Sequence, residues 1–474
     1  MKKGTAIHWF RQDLRLEDNP ALSEASKHYK LLPIYIFDDF HPEENIMGSA
    51  SKWWLHQSLN SLKSSLKGKL SFYRGNPIKI LEQLMDSFEI TSIYWNRCYE
   101  PWSINRDAKI KKTLKEQSIY TESHNASLLW EPWTIKKHDN TPYKVFTPFY
   151  RKGCLGSSPP RQPIPKPTQN QMINDVKSSI SLDQLTLMPS VRWDRSIQSH
   201  WEVGEEGAKK RFQTFIDKGL GNYREGRNRP DKPFVSRLSP HIHFGEISPN
   251  QLWYSIRSLG NNSNTDHFCS ELGWREFSYS QLYHYPDLPD KNLQSKFDSF
   301  PWAKDRNLLQ AWQKGKTGVP MVDAGMRELW QTGFMHNRVR MITGSYLVKN
   351  LRLDWRHGES WFWDTLLDAD LASNSASWQW VAGCGADAAP YFRIFNPVTQ
   401  GQKFDPSGTY VRKYIPEIKE LPNKYLHQPW EAPASVLKTA GVTLGKHYPF
   451  PVVDLKNSRE AALQAFKSLK TKSN

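Results

Sequence analysis

A chain of 474 residues exceeds what one hydrophobic core usually organises, so two or more domains are expected. Its 64 lysines and arginines outweigh 48 aspartates and glutamates, a net charge of +16 that points to nucleic acid first and an anionic membrane second, unless it serves solubility alone. The apolar run in MKKGTAIHWF meets Arg11 and Asp13 too soon for a signal peptide, and no stretch approaches the ~20 apolar residues of a membrane span, so a cytoplasmic protein is expected.

In the first third, apolar runs at Ala6–Phe10, Leu31–Phe37, Leu70–Tyr73 and Ile90–Trp95 alternate with amphipathic stretches at Ser51–Leu66, Ile78–Phe88 and Ile104–Leu114. This βαβα alternation predicts a parallel sheet covered by helices on both faces. Arg11, Gln12 and Asp13 follow the first strand, so the glycine-rich dinucleotide fingerprint is missing. The run SSPPRQPIPKPT, Ser157–Thr168, sustains neither helix nor central strand and reads as an extended linker. Beyond Trp201 helical periodicity dominates, with a clear start at Ser248-Pro249, and the tail SREAALQAFKSLKTKSN reads as one amphipathic helix with a basic end. The expected architecture is α/β plus all-α: an N-terminal parallel, Rossmann-like domain over 1–132, an interdomain segment over 133–200 and a helical domain over 201–474.

Cys98, Cys154, Cys269 and Cys384 lie far apart, with no CxxC pair and no histidine at ligand spacing, which argues against zinc, iron–sulfur and a disulfide framework. Gly315-Lys316-Thr317 looks like the end of a phosphate loop, but Gln310 stands where that loop needs glycine and the preceding NLLQAWQ is helical, so a turn is expected. The 20 tryptophans can stack on bases or flavins and relay electrons, but any one alone reads first as a core filler. In the segment Asp364–Pro397, Asp370 and Asn374 are spaced to share a helical face. If buried, they need polar partners such as a cofactor heterocycle; if exposed, they cap a helix.

Several long motifs occur in order: WFRQDLR at Trp9–Arg15, then SRLSPHIHFGEIS, ELGWREF, MHNRVRM and FRIFNP. With these the sequence resembles the photolyase and cryptochrome family over nearly the whole chain, closest to class I cyclobutane pyrimidine dimer photolyases. The resemblance implies FAD held in a bent conformation in the helical domain. It places Tyr223, Ser236, Arg237, Leu238 and Ser239 around the phosphates, where hydroxyls and backbone N–H groups near a helix start suit a pyrophosphate. Arg275, Arg340, Asp368, Asp370 and Asn374 follow as cofactor contacts, an Arg340–Asp368 pair balancing the charge of reduced flavin. Asn374 matches the residue facing flavin N5, where plant cryptochromes typically carry Asp, animal ones Cys and photolyases of this branch Asn. Trp302, Trp355 and Trp378 match the electron-transfer triad.

For the substrate, ultraviolet-damaged DNA, the resemblance implies a flipped lesion between Trp274 and Trp380, with Glu271 and Asn337 bonding the pyrimidine edges and stabilising the dimer radical anion, and Arg227, Arg338 and Arg393 on phosphates. Asn337 and Met341 occupy the positions where (6-4) photolyases carry two histidines four apart, and the neighbouring His336 does not restore that pair. The implied activity is light-dependent splitting of cyclobutane dimers by a monomer, through electron transfer from photoexcited FADH⁻. The alternatives are a cryptochrome-type photoreceptor and a (6-4) photolyase. In the N-terminal domain NRCYEPWS, Asn96–Ser103, lacks the Asn-Glu pair of the best-known folate site. A second antenna chromophore, whether methenyltetrahydrofolate, a deazaflavin or another flavin, is left open, as is having none.

Overall fold

β1 (Thr5–Phe10), β2 (Lys30–Phe37), β3 (Ser71–Arg74) and β4 (Ile90–Asn96) form within a residue of the apolar runs that predict them. The computed structural model, which describes residues 4–39, 46–168, 171–388 and 392–469, adds β5 (Tyr120–His124) and orders the sheet β3-β2-β1-β4-β5 with every neighbouring pair parallel. β5 reads YTESH; as a half-buried edge strand it needs no apolar run, which is why periodicity does not reveal it. Four crossover helices link the strands: α1 (Pro20–His28), α2 (Ser49–Ser65), α3 (Pro77–Ser87) and α4 (Pro101–Glu116). The unpredicted α1 starts at Asn19-Pro20, the asparagine side chain accepting from the Leu22 N–H and proline suiting the first turn. Ile7, Trp9, Ile34, Ile93 and Trp95 fill the core between sheet and helices.

The WFRQDLR motif secures this unit. The Arg11 guanidinium pairs with Asp107 at 2.6 Å, and the fully buried Arg15 donates to the carbonyls of Asp18, Gly245 and Ala126. Those carbonyls satisfy a cation that burial alone would disfavour.

The Pro-rich run has no helix or strand, as expected, but it is pinned along its length. Trp130 Nε1 donates to Ser158 O at 3.0 Å, Asn250 Nδ2 to Arg161 O at 2.6 Å, and Ile164 N to Asp18 Oδ1 at 2.8 Å. The chain divides into one compact unit of Met1–Thr214, Ser236–Pro286 and Leu367–Asp370, and a second of Phe215–Val235, Asp287–Leu366 and Leu371–Asn474. The Pro-rich run therefore lies inside the first unit as a strap, and the unit boundaries do not coincide with divisions at residues 132 and 201.

Pro249–Ser258 starts in a capping box formed by Ser248 and Gln251. Gly315-Lys316-Thr317 is a turn, held by the buried Asp323 carboxylate accepting from Thr317 N and Oγ1, both at 2.7 Å, and from Gly318 N at 3.0 Å. The tail forms the helix Leu455–Lys467, while residues 470–474 of its basic end lie outside the described residues. All four cysteines are free and buried. Among the described residues no helix is long and apolar enough to cross a membrane.

Candidate functional site

In the first unit, the helix Ser263–His284 begins at Asn262, whose side chain caps the Asn264 and Thr265 N–H groups. Four-residue spacing puts Glu271, Arg275 and Tyr279 on one face. Glu271 is half-buried, its Oε1 3.7 Å from His267 Nε2. The Trp274 ring stacks on Phe146 at 3.8 Å and 10°, and Phe146 stacks in turn on Tyr150 at 5.6 Å and 8°. Arg275 donates to Ser127 O at 2.6 Å and stands 4.7 Å from the Tyr279 ring centre.

Asp370 gathers this face. The Tyr279 hydroxyl donates to its Oδ2, and His243 Nδ1 lies 3.6 Å away. Burial opposes a charge on Asp370, yet His243, Arg275 and Tyr279 together hold its carboxyl far below the usual carboxylate range. The helix that follows starts only at Leu371, so Asp368 and Asp370 precede it and the expected helical face shared by Asp370 and Asn374 is not formed. Asp370's carboxylate is directed instead by its partners on the Ser263–His284 helix and at His243.

Ser236 and Arg237 are half-buried, Leu238 is buried and Ser239, which opens the short helix Ser239–His243, is exposed. Arg237 has a left-handed backbone, φ 52°, and its guanidinium lies 4.6 Å from the Trp201 ring centre, which also receives Arg211 at 4.8 Å. Burial and the neighbouring Arg237 bring the Arg211 pKa down to about 10.

In the second unit, Tyr223 is buried with its ring edge-on to Phe215 at 5.3 Å. The helix Asn337–Ser345 is capped by His336, whose Nδ1 accepts from Arg338 N at 3.2 Å. Asn337 is exposed; Arg338, Arg340 and Met341 are half-buried. Arg338 donates to Asn228 Oδ1 at 2.6 Å and packs 4.6 Å from the Phe404 ring centre, so it already has a structural task beside any phosphate. Arg340 Nε donates to Met335 O at 2.8 Å. Burial, then Arg227, Arg338 and Arg340, push the His336 pKa down to about 3, leaving its ring neutral near pH 7. Arg227 is half-buried and Arg393 exposed; residues 389–391 of the Asp364–Pro397 segment lie outside the described residues.

Trp302, Trp355 and Trp378, which the resemblance assigns to electron transfer, are connected through neighbouring backbone positions. Ala303, next to the half-buried Trp302, donates its N–H to Arg352 O at 2.7 Å and bridges Leu353, two residues before Trp355. Trp355 is fully buried, its Nε1 donating to Asn292 Oδ1 at 3.0 Å. Gly358, one turn further along the helix Trp355–Thr365, meets the buried Trp378 ring directly. Trp378 also contacts Phe362 at 5.0 Å, while Trp380 on the same helix is half-buried. Asn374 Nδ2 donates to Glu359 O at 3.0 Å, and the Ser375 hydroxyl to the Glu359 carboxylate, which burial raises to a pKa of about 8.

Sequence reasoning missed Tyr279, His243 and Glu359. The spacing of Tyr279 eight residues beyond Glu271 was a usable signal; Glu359, in an ordinary amphipathic helix, gives none. Within the first unit, the hydroxyls and left-handed backbone at Ser236–Ser239 suit phosphate oxygens, and the buried, charge-balanced Asp370 carboxylate suits a polar ring. Among the described residues no group of three or more His, Cys, Asp or Glu could hold a metal ion.

Residues 6–168 match the family model described as DNA photolyase, and 268–468 that described as FAD binding domain of DNA photolyase. The chain is 44% identical over 478 residues to the deoxyribodipyrimidine photo-lyase of Agrobacterium fabrum, covering 99% of both chains. It belongs to the photolyase and cryptochrome family. Within that family it is also 35% identical to cryptochrome-1 of Arabidopsis thaliana, covering 98% of this chain and 70% of that one. A crystal structure titled as a bacterial class III photolyase from Agrobacterium tumefaciens matches with a TM-score of 0.94 at 44% identity, covering 99% of this chain and 98% of that one. That match corrects the expected affinity to class I: the likeness at this identity is to a class III enzyme. The chain carries the family's FAD-binding domain, matched over residues 268–468, later in sequence than its five-stranded parallel sheet.

Proposed function

We propose that the protein repairs ultraviolet-damaged DNA in light, splitting cyclobutane pyrimidine dimers, as a monomeric cytoplasmic enzyme akin to the class III photolyases. The observation that carries this reading is Trp274, a half-buried indole backed at 3.8 Å by Phe146 and one turn from Glu271: an aromatic wall beside a hydrogen-bonding carboxylate. The working residues belong to 201–474, with 1–132 in an antenna role and 133–200 connecting them.

FAD, when bound, would supply light-driven one-electron chemistry to the dimer. Tyr223, Ser236, Arg237, Leu238 and Ser239 would hold its phosphates, and Arg275, Arg340, Asp368, Asp370 and Asn374 its ring. Trp274 and Trp380 stack on the flipped pyrimidines, worth about 1–3 kcal/mol per base. Glu271 and Asn337 bond the pyrimidine edges and stabilise the charge that arrives there, while Arg227, Arg338 and Arg393 hold the flanking phosphates. Splitting two C–C bonds by one added electron needs no proton donor. Asn337 and Met341 in place of histidines, and a His336 ring held neutral, agree with that chemistry and count against (6-4) repair. Trp302, Trp355 and Trp378 carry electrons inward when the cofactor must be reduced. A second, light-harvesting chromophore belongs to the proposal without a chemical identity.

The test is to incubate the reduced protein with a dimer-containing oligonucleotide under blue light and in darkness. Loss of dimer in light only is expected; equal dimer content in both would overturn the reading and favour a photoreceptor.

A further inference from the structure

Trp133, Tyr99 and Tyr279 form a line of rings within the first unit that ends on Asp370. Trp133 is 38% exposed, whereas Tyr99 and Tyr279 are 3% and 4% exposed, so the line runs from surface to interior. Ring centres are 6.3 Å apart between Trp133 and Tyr99 and 5.9 Å between Tyr99 and Tyr279. Each tyrosine donates its hydroxyl to a carboxylate: Tyr99 to Glu131 Oε2 at 2.8 Å, and Tyr279 to Asp370 Oδ2. Core packing would explain the rings, but it does not require every buried phenol in the line to have an ionisable acceptor of its own.

We infer that Trp133, Tyr99 and Tyr279 are a second electron path to the Asp370 site, working by proton-coupled tyrosine oxidation and distinct from the Trp302, Trp355 and Trp378 route. The inference rests on the proposed flavin beside Asp370. An oxidised phenol is a strong acid, so a hydrogen-bonded carboxylate takes its proton as the electron leaves. Arg275, 4.7 Å from the Tyr279 ring centre, disfavours a cationic ring there and so selects the neutral radical.

The steps balance in protons and electrons. One electron leaves Tyr279 for the photoexcited oxidised flavin, and the phenolic proton passes to Asp370. Tyr99 then reduces the Tyr279 radical, which recovers its proton from Asp370, while the Tyr99 proton passes to Glu131. Trp133 reduces the Tyr99 radical, which regains that proton, and a small thiol in solution reduces Trp133 at the surface, giving a thiyl radical and a proton. The net result is one electron moved from thiol to flavin.

The experiment uses the full-length, FAD-loaded protein carrying Trp355→Phe to block the tryptophan route, with dithiothreitol as reductant and no DNA. A light flash should produce a neutral tyrosyl signal by transient absorption and electron paramagnetic resonance, formed more slowly in D₂O. Tyr279→Phe, which removes only a hydroxyl, should abolish it. Tyr99→Phe should leave the signal but remove its re-reduction by thiol, and Glu131→Gln should slow that re-reduction with every ring in place. The same signals in Tyr279→Phe as in its parent would overturn the path. A second arm oxidises the protein from solution with flash-quenched ruthenium tris-bipyridine, without exciting the flavin. There the tyrosyl signal should appear after Trp133 oxidation and be lost in Trp133→Phe. A failure of the repair reading leaves this arm intact, whereas a tyrosyl yield indifferent to Trp133, Tyr99 and Tyr279 defeats the path alone.

Discussion

A Cβ added at Gly358 would fall 2.1 Å from Cη2 of Trp378, so the indole of one helix lies directly on the backbone of the next. Nothing larger than hydrogen fits there without moving the ring. Gly358→Ala should cost about 1–3 kcal/mol through overpacking and displace Trp378. Photoreduction of oxidised flavin should slow markedly while repair by chemically reduced enzyme persists. Comparing the two rates with the melting temperature checks this, and a destabilised variant with unchanged photoreduction would remove Trp378 from the electron route.

Asp370, proposed above to hold the flavin, should affect both cofactor retention and acid stability. Asp370→Asn keeps an acceptor for Tyr279 but removes the buried anion facing His243, while Arg275 retains Glu276 at 3.4 Å, so the loss should be about 1–3 kcal/mol. FAD content per purified chain should drop along with stability to denaturant. Because the folded pKa of Asp370 is depressed, its contribution is present above the ordinary value of about 3.9 and fades as pH falls below it. The gap between parent and variant should therefore narrow in acid.

Glu359 has the opposite sign. Burial raises its pKa to about 8, so its stabilising contribution is complete below the ordinary carboxyl value of about 4.3 and is lost as pH rises towards 8. Glu359→Gln keeps a partner for Ser375 and removes the titration. Melting curves across this range should converge at low pH and separate at high pH, with the variant more stable there.

Arg338 and Arg393 should separate by their surroundings. Arg393→Ala, at an exposed position, should weaken damaged and undamaged DNA alike and reduce the salt-dependence slope by about 1. Arg338→Ala should do the same and also lower thermal stability, since it removes the bond to Asn228 and the packing on Phe404. Binding isotherms at several salt concentrations, with parallel melts, read both effects.

The sheet was legible wherever burial on both faces forces an unbroken apolar run, as in β1, β2 and β4. It was illegible at β5, where an edge strand is free to be polar. The helix start at Leu371 could not be read from spacing, because Asp370 and Asn374 are four apart as on one helical face while Asp370 belongs to the preceding loop. The Pro-rich run announced its lack of regular structure but not its bonds to Asp18, since distant partners leave no local pattern. Individual tryptophans were indistinguishable from core. The sequence motifs singled out Trp302, Trp355 and Trp378, while the glycine that lets Trp378 pack became visible only in three dimensions.

The first unit is assembled from three separated stretches, the last being only Leu367–Asp370. During synthesis the parallel sheet and its helices emerge early, yet the phenol of Tyr279 and the imidazole of His243 wait for a carboxylate encoded about ninety residues or more downstream. Completion of this cluster is thereby tied to translation of most of the chain, and a nascent protein stopped short of Asp370 would carry a formed sheet with Tyr279 and His243 lacking their buried partner.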